Sequence, residues 1–177
     1  MPARPRVLVI SGSTRAGSTN SAFAASAVAW PPDGVDVVAY DGLRRLPHFD
    51  PDADGDRVPA EVARLRTALE HADAVVFCTP EYAGTLPGAL KNLLEWTVGA
   101  TVLTGKPVAW VKVAADARRG DGAHENLATV LGYVQARIVD AACAHVPIGR
   151  DHIGDDGSVD DPALRAAIAD AVSAVLA

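Results

Sequence analysis

The 177-residue chain has few cysteines, few aromatic residues and no long apolar run. Its two cysteines, Cys78 and Cys143, lie in separate apolar stretches, which favours buried free thiols over a disulfide or a metal site and fits a reducing compartment. The longest apolar stretch, Ala22 to Trp30, is interrupted by Ser26 and is too short to cross a bilayer. Met1 to Ser11 has too few apolar residues for a signal peptide. We therefore expect a cytoplasmic protein with no membrane partner.

Positive charge is also scarce. The chain has 16 Lys and Arg against 22 Asp and Glu, a formal net charge of -6. This balance argues against nucleic acid as the main partner, so any anion must be bound locally. Apolar residues make up 49% of the chain and charged residues 21%, which is enough to build a core at this length. Because 177 residues is close to the usual size of one domain, we expect residues 1–177 to form a single domain.

Short apolar runs rich in β-branched residues alternate with segments of helical period. The predicted strands are Val7 to Ile10, Val35 to Tyr40, Ala74 to Thr79, Pro107 to Ala114 and a weaker fifth at Arg137 to Ala142. The predicted helices are Ser18 to Trp30, Pro59 to His71, Pro87 to Thr97, Glu125 to Val134 and a last one capped by Asp161 and begun by Pro162. This alternation predicts an α/β fold with a doubly wound, five-stranded parallel sheet, in the flavodoxin-like order 2-1-3-4-5. Such sheets bind ligands beyond the carboxyl ends of the strands where strand order reverses, here between the first and third strands.

The first loop at that position, Ser11 to Asn20, follows a strand and opens a helix. It combines hydroxyl side chains, two glycines and Arg15 at a helix N-terminus, which supplies hydrogen-bond donors and one fixed positive charge for a phosphate. It is not a nucleotide P-loop, because Ser18 stands where that motif has its lysine, and the glycines do not fit the dinucleotide pattern. The alternative is an ordinary helix cap with a solvated arginine.

The second loop, Pro80 to Leu86, follows the third strand directly. We expect Thr85 to cap the next helix, which leaves Glu81 to Gly84 exposed beside the first loop. Their backbone amides and carbonyls are available to a flat heterocycle. Tyr82 offers an aromatic wall, although a tyrosine in such a loop also packs without any ligand. Ala115 to Ala123, after the fourth strand, flanks these two loops.

Together the two loops resemble the NADPH-dependent FMN reductases, flavodoxin-like flavoproteins that include quinone-, chromate- and azo-reducing enzymes. The motifs that carry the resemblance are Gly12-Ser13-x-Arg15-x-x-Ser18-x-Asn20, and Pro80-Glu81-Tyr82 followed by Pro87-Gly88-x-Leu90-Lys91-Asn92-x-x-Glu95-Trp96. Two further segments look like the family, namely Leu46-Pro47-x-Phe49-Asp50-x-Asp52 and Gly105-Lys106-Pro107-Val108. The resemblance extends from Gly12 to Val108.

The resemblance implies that the protein binds FMN and passes hydride from NAD(P)H to a small acceptor such as a flavin or a quinone. It implies a phosphate site made by Ser13, Arg15, Ser18, Thr19 and Asn20. It implies an isoalloxazine site lined by Pro80, Glu81, Tyr82 and Ala83. It also implies a homodimer or homotetramer, and the apolar helix Pro87 to Thr97, which carries Trp96, is the candidate contact. We expect no catalytic acid or nucleophile from the protein, because the cofactor carries the chemistry.

One segment departs from the family pattern. Where the family has Ser or Thr with several glycines after the fourth strand, this chain has Ala114 to Gly122. The carboxylate of Asp116, if close to the ring, would disfavour an anionic reduced flavin by like-charge repulsion. Arg118 and Arg119 would offset that charge, meet a 2′-phosphate, or stay solvated. Two other functions remain open: a non-enzymatic electron carrier of flavodoxin type, and a flavin-free protein that binds another phosphate compound or a protein partner.

The segment Asp50 to Glu61 satisfies the EF-hand calcium expression. Pro51 and Pro59 interrupt it and Arg57 stands in the usual apolar position, so we expect an acidic loop and no metal site. The five histidines show no metal-ligand spacing and are expected at the surface or in packing contacts.

Overall fold

A parallel sheet with helices on both faces makes up the described chain. The computed structural model describes residues 3–55, 57–116 and 120–177. Its strands are β1 (Arg6–Ser11), β2 (Asp36–Tyr40), β3 (Ala74–Cys78), β4 (Pro107–Lys112), β5 (Arg137–Ile138) and β6 (Ala144–His145). Its helices are α1 (Thr19–Ala29), α2 (Ala60–Glu70), α3 (Gly88–Val98), α4 (Asp121–Tyr133) and α5 (Pro162–Ala174).

The sheet order is β2-β1-β3-β4-β5, and β6 pairs with β4. Every pairing between these strands is parallel, and Val76 of β3 lies opposite both Val9 of β1 and Ala109 of β4. This confirms the predicted flavodoxin-like order. The carboxyl ends of β1 and β3 are therefore neighbours, and both face the same edge of the sheet.

The sheet separates two apolar cores because successive side chains of a strand point to opposite faces. Val7 and Val9 pack on the side of α1 and α5, whereas Leu8 and Ile10 pack on the side of α2, α3 and α4. Burial on both faces explains why β1 and β3 are continuous apolar runs in the sequence.

The fifth strand was predicted as one run, Arg137 to Ala142, and that prediction is wrong. Arg137–Ile138 pairs with the start of β4, a 3-10 turn over Asp140–Ala142 follows, and Ala144–His145 pairs with the end of β4. Aspartate and alanine have low strand propensity, so the chain leaves the sheet at this point and buries Ala142 against the core.

Helix α4 begins at Asp121, four residues before the predicted Glu125. Its first turn follows Gly120, which adopts φ 98 in the left-handed region that favours glycine. The carboxylate of Glu81 accepts a hydrogen bond from the Ala123 amide at 3.2 Å, so a residue of another loop caps this helix.

Thr85 does not cap α3, contrary to the sequence-based expectation. The helix starts after Pro87, and Thr85 instead exchanges two backbone hydrogen bonds with Tyr82, at 3.0 and 3.1 Å. Between them Ala83 (φ 52) and Gly84 (φ 75) form a tight turn that needs positive φ at both central positions. The loop after β3 is thus a closed hairpin tip.

Helix α3 anchors the segment that follows β2. The side chain of Asn92 accepts from the Phe49 amide at 2.7 Å and donates to the Pro47 carbonyl at 2.8 Å. Trp96, for which a subunit contact was an open possibility, is fully buried, packs edge-to-face on Phe49 at 5.0 Å and donates to the same carbonyl at 2.9 Å. These residues of the family-like motif therefore have a structural role.

Replacing Asn92 by leucine is expected to destabilise the protein by about 1 to 3 kcal/mol, because it leaves the Phe49 amide without its acceptor. Replacing the adjacent Lys91 by alanine removes an exposed ion pair with Glu95 and should cost under about 1 kcal/mol. Urea unfolding of both variants measures the two effects. Equal losses would contradict the structural role of Asn92.

Arginines pair with two of the acidic residues in the EF-hand-like segment. Asp54 pairs with Arg66, and Glu61 pairs with Arg45 at 3.1 Å and with Arg64 at 2.9 Å. Asp56, part of that expression, lies outside the described residues. Over residues 3–55, 57–116 and 120–177, no three His, Cys, Asp or Glu side chains converge as a metal site. No helix in the same ranges is both long and apolar enough to cross a membrane.

Candidate functional site

The loops at the carboxyl ends of β1, β3 and β4 enclose two adjoining cavities of about 590 and 450 Å³. A common wall joins them, formed by Thr19, Asn20, Pro80, Val113 and Ala114. The larger, here the arginine cavity, is also lined by Ser13, Arg15, Ser18, Tyr82, Asp116 and Arg150. The smaller, here the histidine cavity, is also lined by Thr79, Glu81, Lys112, Gly120 and His124. Both volumes lie within the usual range for small-molecule sites.

A close backbone approach holds the first loop against the end of β3. The amide of Gly12 donates to the Cys78 carbonyl at 2.7 Å. A Cβ atom at Gly12 would overlap the Thr79 side chain and lie 2.9 Å from Leu90 Cδ2. Only glycine fits there without a shift of its neighbours, and this contact sets the first loop beside the second.

The N-terminus of α1 contributes its first two residues, Thr19 and Asn20, to the common wall. Ser18 is the N-cap, and its hydroxyl oxygen accepts from the Ser21 amide at 3.0 Å. The amides of Thr19 and Asn20 lie in the first turn and have no acceptor within the helix. The helix dipole adds a partial positive charge at this end. The helix cap that was the alternative to a phosphate site is present, and within the helix it leaves the Thr19 and Asn20 amides without an acceptor.

Two guanidinium groups line the arginine cavity. Arg15 is exposed, and no carboxylate of the described residues pairs with it. Arg150 comes from the segment after β6 and was not among the residues that the sequence predicted for the phosphate site. Asp116 lines this cavity and is not among the residues that line the histidine cavity. Arg118 and Arg119 lie outside the described residues.

The hydroxyl groups of Ser13 and Ser18 differ in whether their O–H can still donate a hydrogen bond to a ligand. Ser13 Oγ accepts from the Arg15 amide at 3.2 Å, which leaves its own O–H free to donate into the cavity. Ser18 Oγ lies 2.8 Å from Ser21 Oγ, and that hydroxyl in turn donates to the Arg15 carbonyl at 3.2 Å. Ser18 therefore contributes chiefly by fixing the helix N-terminus.

The four residues expected beside a flat ring do not all line the same cavity. Pro80 lines both cavities, Glu81 the histidine cavity and Tyr82 the arginine cavity. Tyr82 is 52% exposed and stands at the rim. Ala83 occupies the turn tip and lines neither cavity. The Glu81 carboxylate braces this loop against α4 through the Ala123 amide.

The histidine cavity contains a buried imidazole that sequence reasoning did not single out. His124 stacks on Trp110 with ring centroids 6.3 Å apart and an interplanar angle of 22°. Burial lowers the pKa of His124, the Gly120 backbone opposes this shift, and the nearby Lys112 cation lowers the pKa further. Lys112, the last residue of β4, pairs with Asp121 and thereby lowers the pKa of that carboxyl. The imidazole is consequently neutral at neutral pH.

Neither of the two cysteines, Cys78 and Cys143, is an activated nucleophile. Cys78 is fully buried, its thiol donates to the Asn20 carbonyl at 3.4 Å, and burial raises its pKa to about 12. Burial also raises the pKa of Cys143, which is half-buried and not fully buried as the sequence suggested. Both therefore remain thiols at neutral pH.

Residues 5–151 match the sequence model of a family described as NADPH-dependent FMN reductase. The chain belongs to that family. It is 36% identical over 112 residues to an NAD(P)H-dependent FMN reductase of Pseudomonas aeruginosa, an alignment that spans 62% of this chain and 60% of the relative. It is 29% identical over 143 residues to a quinone reductase of Escherichia coli, spanning 79% of this chain and 76% of the relative.

Solved structures of similar fold include flavoenzymes. The flavoenzyme NAD(P)H:(acceptor) oxidoreductase FerB of Paracoccus denitrificans superposes with a TM-score of 0.80 at 26% identity, over 97% of each chain. An oxidoreductase of Corynebacterium diphtheriae superposes with a TM-score of 0.64 at 19% identity, over 98% of each chain, a likeness of fold. The flavodoxin-like architecture is thus shared with the structural neighbours as well as the family.

Proposed function

We propose that the protein is an NAD(P)H-dependent FMN oxidoreductase that reduces a small acceptor such as a quinone or a flavin. Family membership and the names of the relatives from Pseudomonas aeruginosa and Escherichia coli support this. The observation that carries it is a cleft between the first and second loops, lined by Thr19 and Asn20 of the α1 N-terminus and by Arg15, which has no carboxylate partner within the described residues.

The residues present fit FMN. A phosphate dianion needs several donors and a positive charge, which the α1 N-terminus, Ser13 and Arg15 supply at one end of the cleft. A flat aromatic ring needs an apolar wall, which Pro80, Val113 and Ala114 supply where the two cavities join.

When bound, FMN supplies the hydride chemistry, and the protein's own residues bind and orient it. Arg15 and the first-turn amides of α1 would hold its charged tail. The turn at Ala83 and Gly84, together with the Glu81 contact to α4, fixes the second loop so that its backbone forms a rigid edge. Tyr82 stands at the open rim, where a nicotinamide or an acceptor would enter.

The assembly, location and partners of the protein are also proposals. We propose a cytoplasmic homodimer or homotetramer that acts on a small-molecule acceptor and binds no nucleic acid. The net charge of -6 supports the last point. Because Trp96 is fully buried, a subunit contact cannot be made by that side chain and must use other parts of the surface. Sedimentation velocity measures the assembly, and a monomer at micromolar concentration would contradict it.

Visible absorption spectra of the purified protein test the proposed activity. We expect a saturable change on adding FMN, loss of the flavin absorbance when NADPH is added without oxygen, and steady NADPH oxidation once a quinone is supplied. Bound FMN that NADPH alone leaves oxidised would indicate a carrier that depends on a separate reductase. A protein that binds no FMN would contradict the proposal.

A further inference from the structure

Two buried polar groups aimed into the histidine cavity have no hydrogen-bond partner. His124 is 6% exposed, and neither of its ring nitrogens has a partner within the described residues. Asn20 is 5% exposed, and its Oδ1 is likewise unpartnered there. Both residues line the same cavity. Burying polar groups without partners is costly, and buried polar groups in proteins are nearly always hydrogen-bonded. The cavity is therefore built for a ligand that completes these bonds.

The chemistry of that ligand follows from the groups around the cavity. A neutral His124 offers one N–H donor and one ring nitrogen acceptor, and Asn20 Oδ1 offers an acceptor. Lys112 lines the cavity and is paired with Asp121, and the N-terminus of α4 adds partial positive charge on the same side. Glu81, the acidic group in the lining, is engaged by the Ala123 amide. The complementary ligand presents carbonyl oxygens beside an N–H group on a flat edge, and it tolerates or gains negative charge.

The neighbouring arginine cavity indicates which end of a ligand the histidine cavity binds. Arg15 and Arg150 line that cavity, and the first two residues of α1 belong to the wall that it shares with the histidine cavity. Asp116 also lies on the arginine side, so the like-charge repulsion expected from the sequence does not act from within the histidine cavity. A ligand whose phosphate sits among the arginines reaches the histidine cavity with its opposite end.

Resting on the function proposed above, we propose that the histidine cavity binds the carbonyl-bearing edge of the FMN ring, with the His124 N–H as donor, and that His124 and Lys112 favour the reduced ring. Hydride transfer brings two electrons and one proton, so the ring gains one negative charge. A donor and a cation beside the edge that shares this charge bind the reduced form more tightly than the oxidised form.

The test compares FMN with riboflavin, which has no phosphate, in the wild type and in His124→Phe, His124→Gln and His71→Phe. Phenylalanine keeps the stacking on Trp110 but removes both ring nitrogens, glutamine keeps a donor and an acceptor, and His71 is an exposed histidine at the end of α2. We expect His124→Phe to weaken both flavins by about three- to tenfold. The other two variants should stay within about twofold of the wild type.

The reduction potential of the bound flavin supplies a readout independent of turnover. If His124→Phe costs the reduced form about tenfold more than the oxidised form, the potential falls by about 30 mV. Lys112→Met should lower it in the same direction, because it removes the cation but leaves the imidazole.

The outcomes distinguish the role of His124 from the proposed function of the protein. Unchanged affinity and potential in His124→Phe, with FMN bound, would overturn this inference and leave the proposed function standing. A wild type that binds neither flavin would overturn the proposed function. If calorimetry shows that His124→Phe does not fold, Lys112→Met decides, since an unchanged potential there would equally overturn the inference.

Discussion

Replacing Arg15 by alanine is expected to weaken FMN binding by about 10- to 150-fold and to leave riboflavin binding unchanged. The fold-change follows from a charge-assisted hydrogen bond, worth about 1.5 to 3 kcal/mol. Arg15 lines the arginine cavity and has no carboxylate partner among the described residues, so its charge is available to a phosphate. Isothermal titration with the two flavins measures both affinities.

The matched control is Arg64→Ala, which removes an exposed guanidinium from α2 and should leave both affinities within about twofold. Arg150→Ala should weaken FMN binding in the same direction as Arg15→Ala, because Arg150 lines the same cavity. An equal loss of FMN and riboflavin in Arg15→Ala would mean that the residue supports the loop. No loss of either would mean that the phosphate binds elsewhere.

Replacing Gly122 by alanine is expected to destabilise the protein by about 1 to 3 kcal/mol and to reduce the affinity for FMN. A Cβ atom at this position would overlap the Gly84 carbonyl and lie 3.2 Å from Glu81 Oε2. The neighbour that must move is backbone of the second loop, so the substitution pushes that loop away from α4 and alters the wall of the histidine cavity. Thermal unfolding and FMN titration of the same samples measure the two effects.

Gly132 is the control in the same helix. A Cβ atom there meets nothing within 4 Å, so Gly132→Ala should stabilise the protein by about 0.5 to 1 kcal/mol through helix propensity and leave FMN binding unchanged. If Gly122→Ala stabilised the protein to the same degree, the close contact between the second loop and α4 would be refuted.

The central elements could be predicted because their signals are local. Helix α1 was predicted from Ser18 to Trp30, and those two residues are its caps. Strand β3 was predicted from Ala74, where it begins, because a strand buried on both faces is a continuous apolar run. The start of α4 was missed because its cap comes from Glu81, 42 residues away from the amide it accepts. Local sequence carries no trace of such a contact.

Some residues of the candidate site could likewise be predicted from local sequence, and others could not. Ser13 to Asn20 were predicted together because one loop and one helix N-terminus hold them. Arg150 lies far along the chain and reaches the cavity only through the turn after β6, so sequence reasoning could not assign it. His124 was missed because the helix was predicted to begin one residue later, at Glu125. In the structure His124 lies in the first turn of α4. Lys112 did leave a signal, since a charged residue ends an apolar strand that points at the site.

A crystal structure of the protein soaked in FMN would show where the flavin binds. We expect the phosphate against the amides of Thr19 and Asn20 and the Arg15 guanidinium, with the ring across Pro80 and Ala114 and one edge in the histidine cavity. A ring bound outside both cavities, or crystals in which excess FMN leaves the cleft filled by the protein's own side chains, would contradict it.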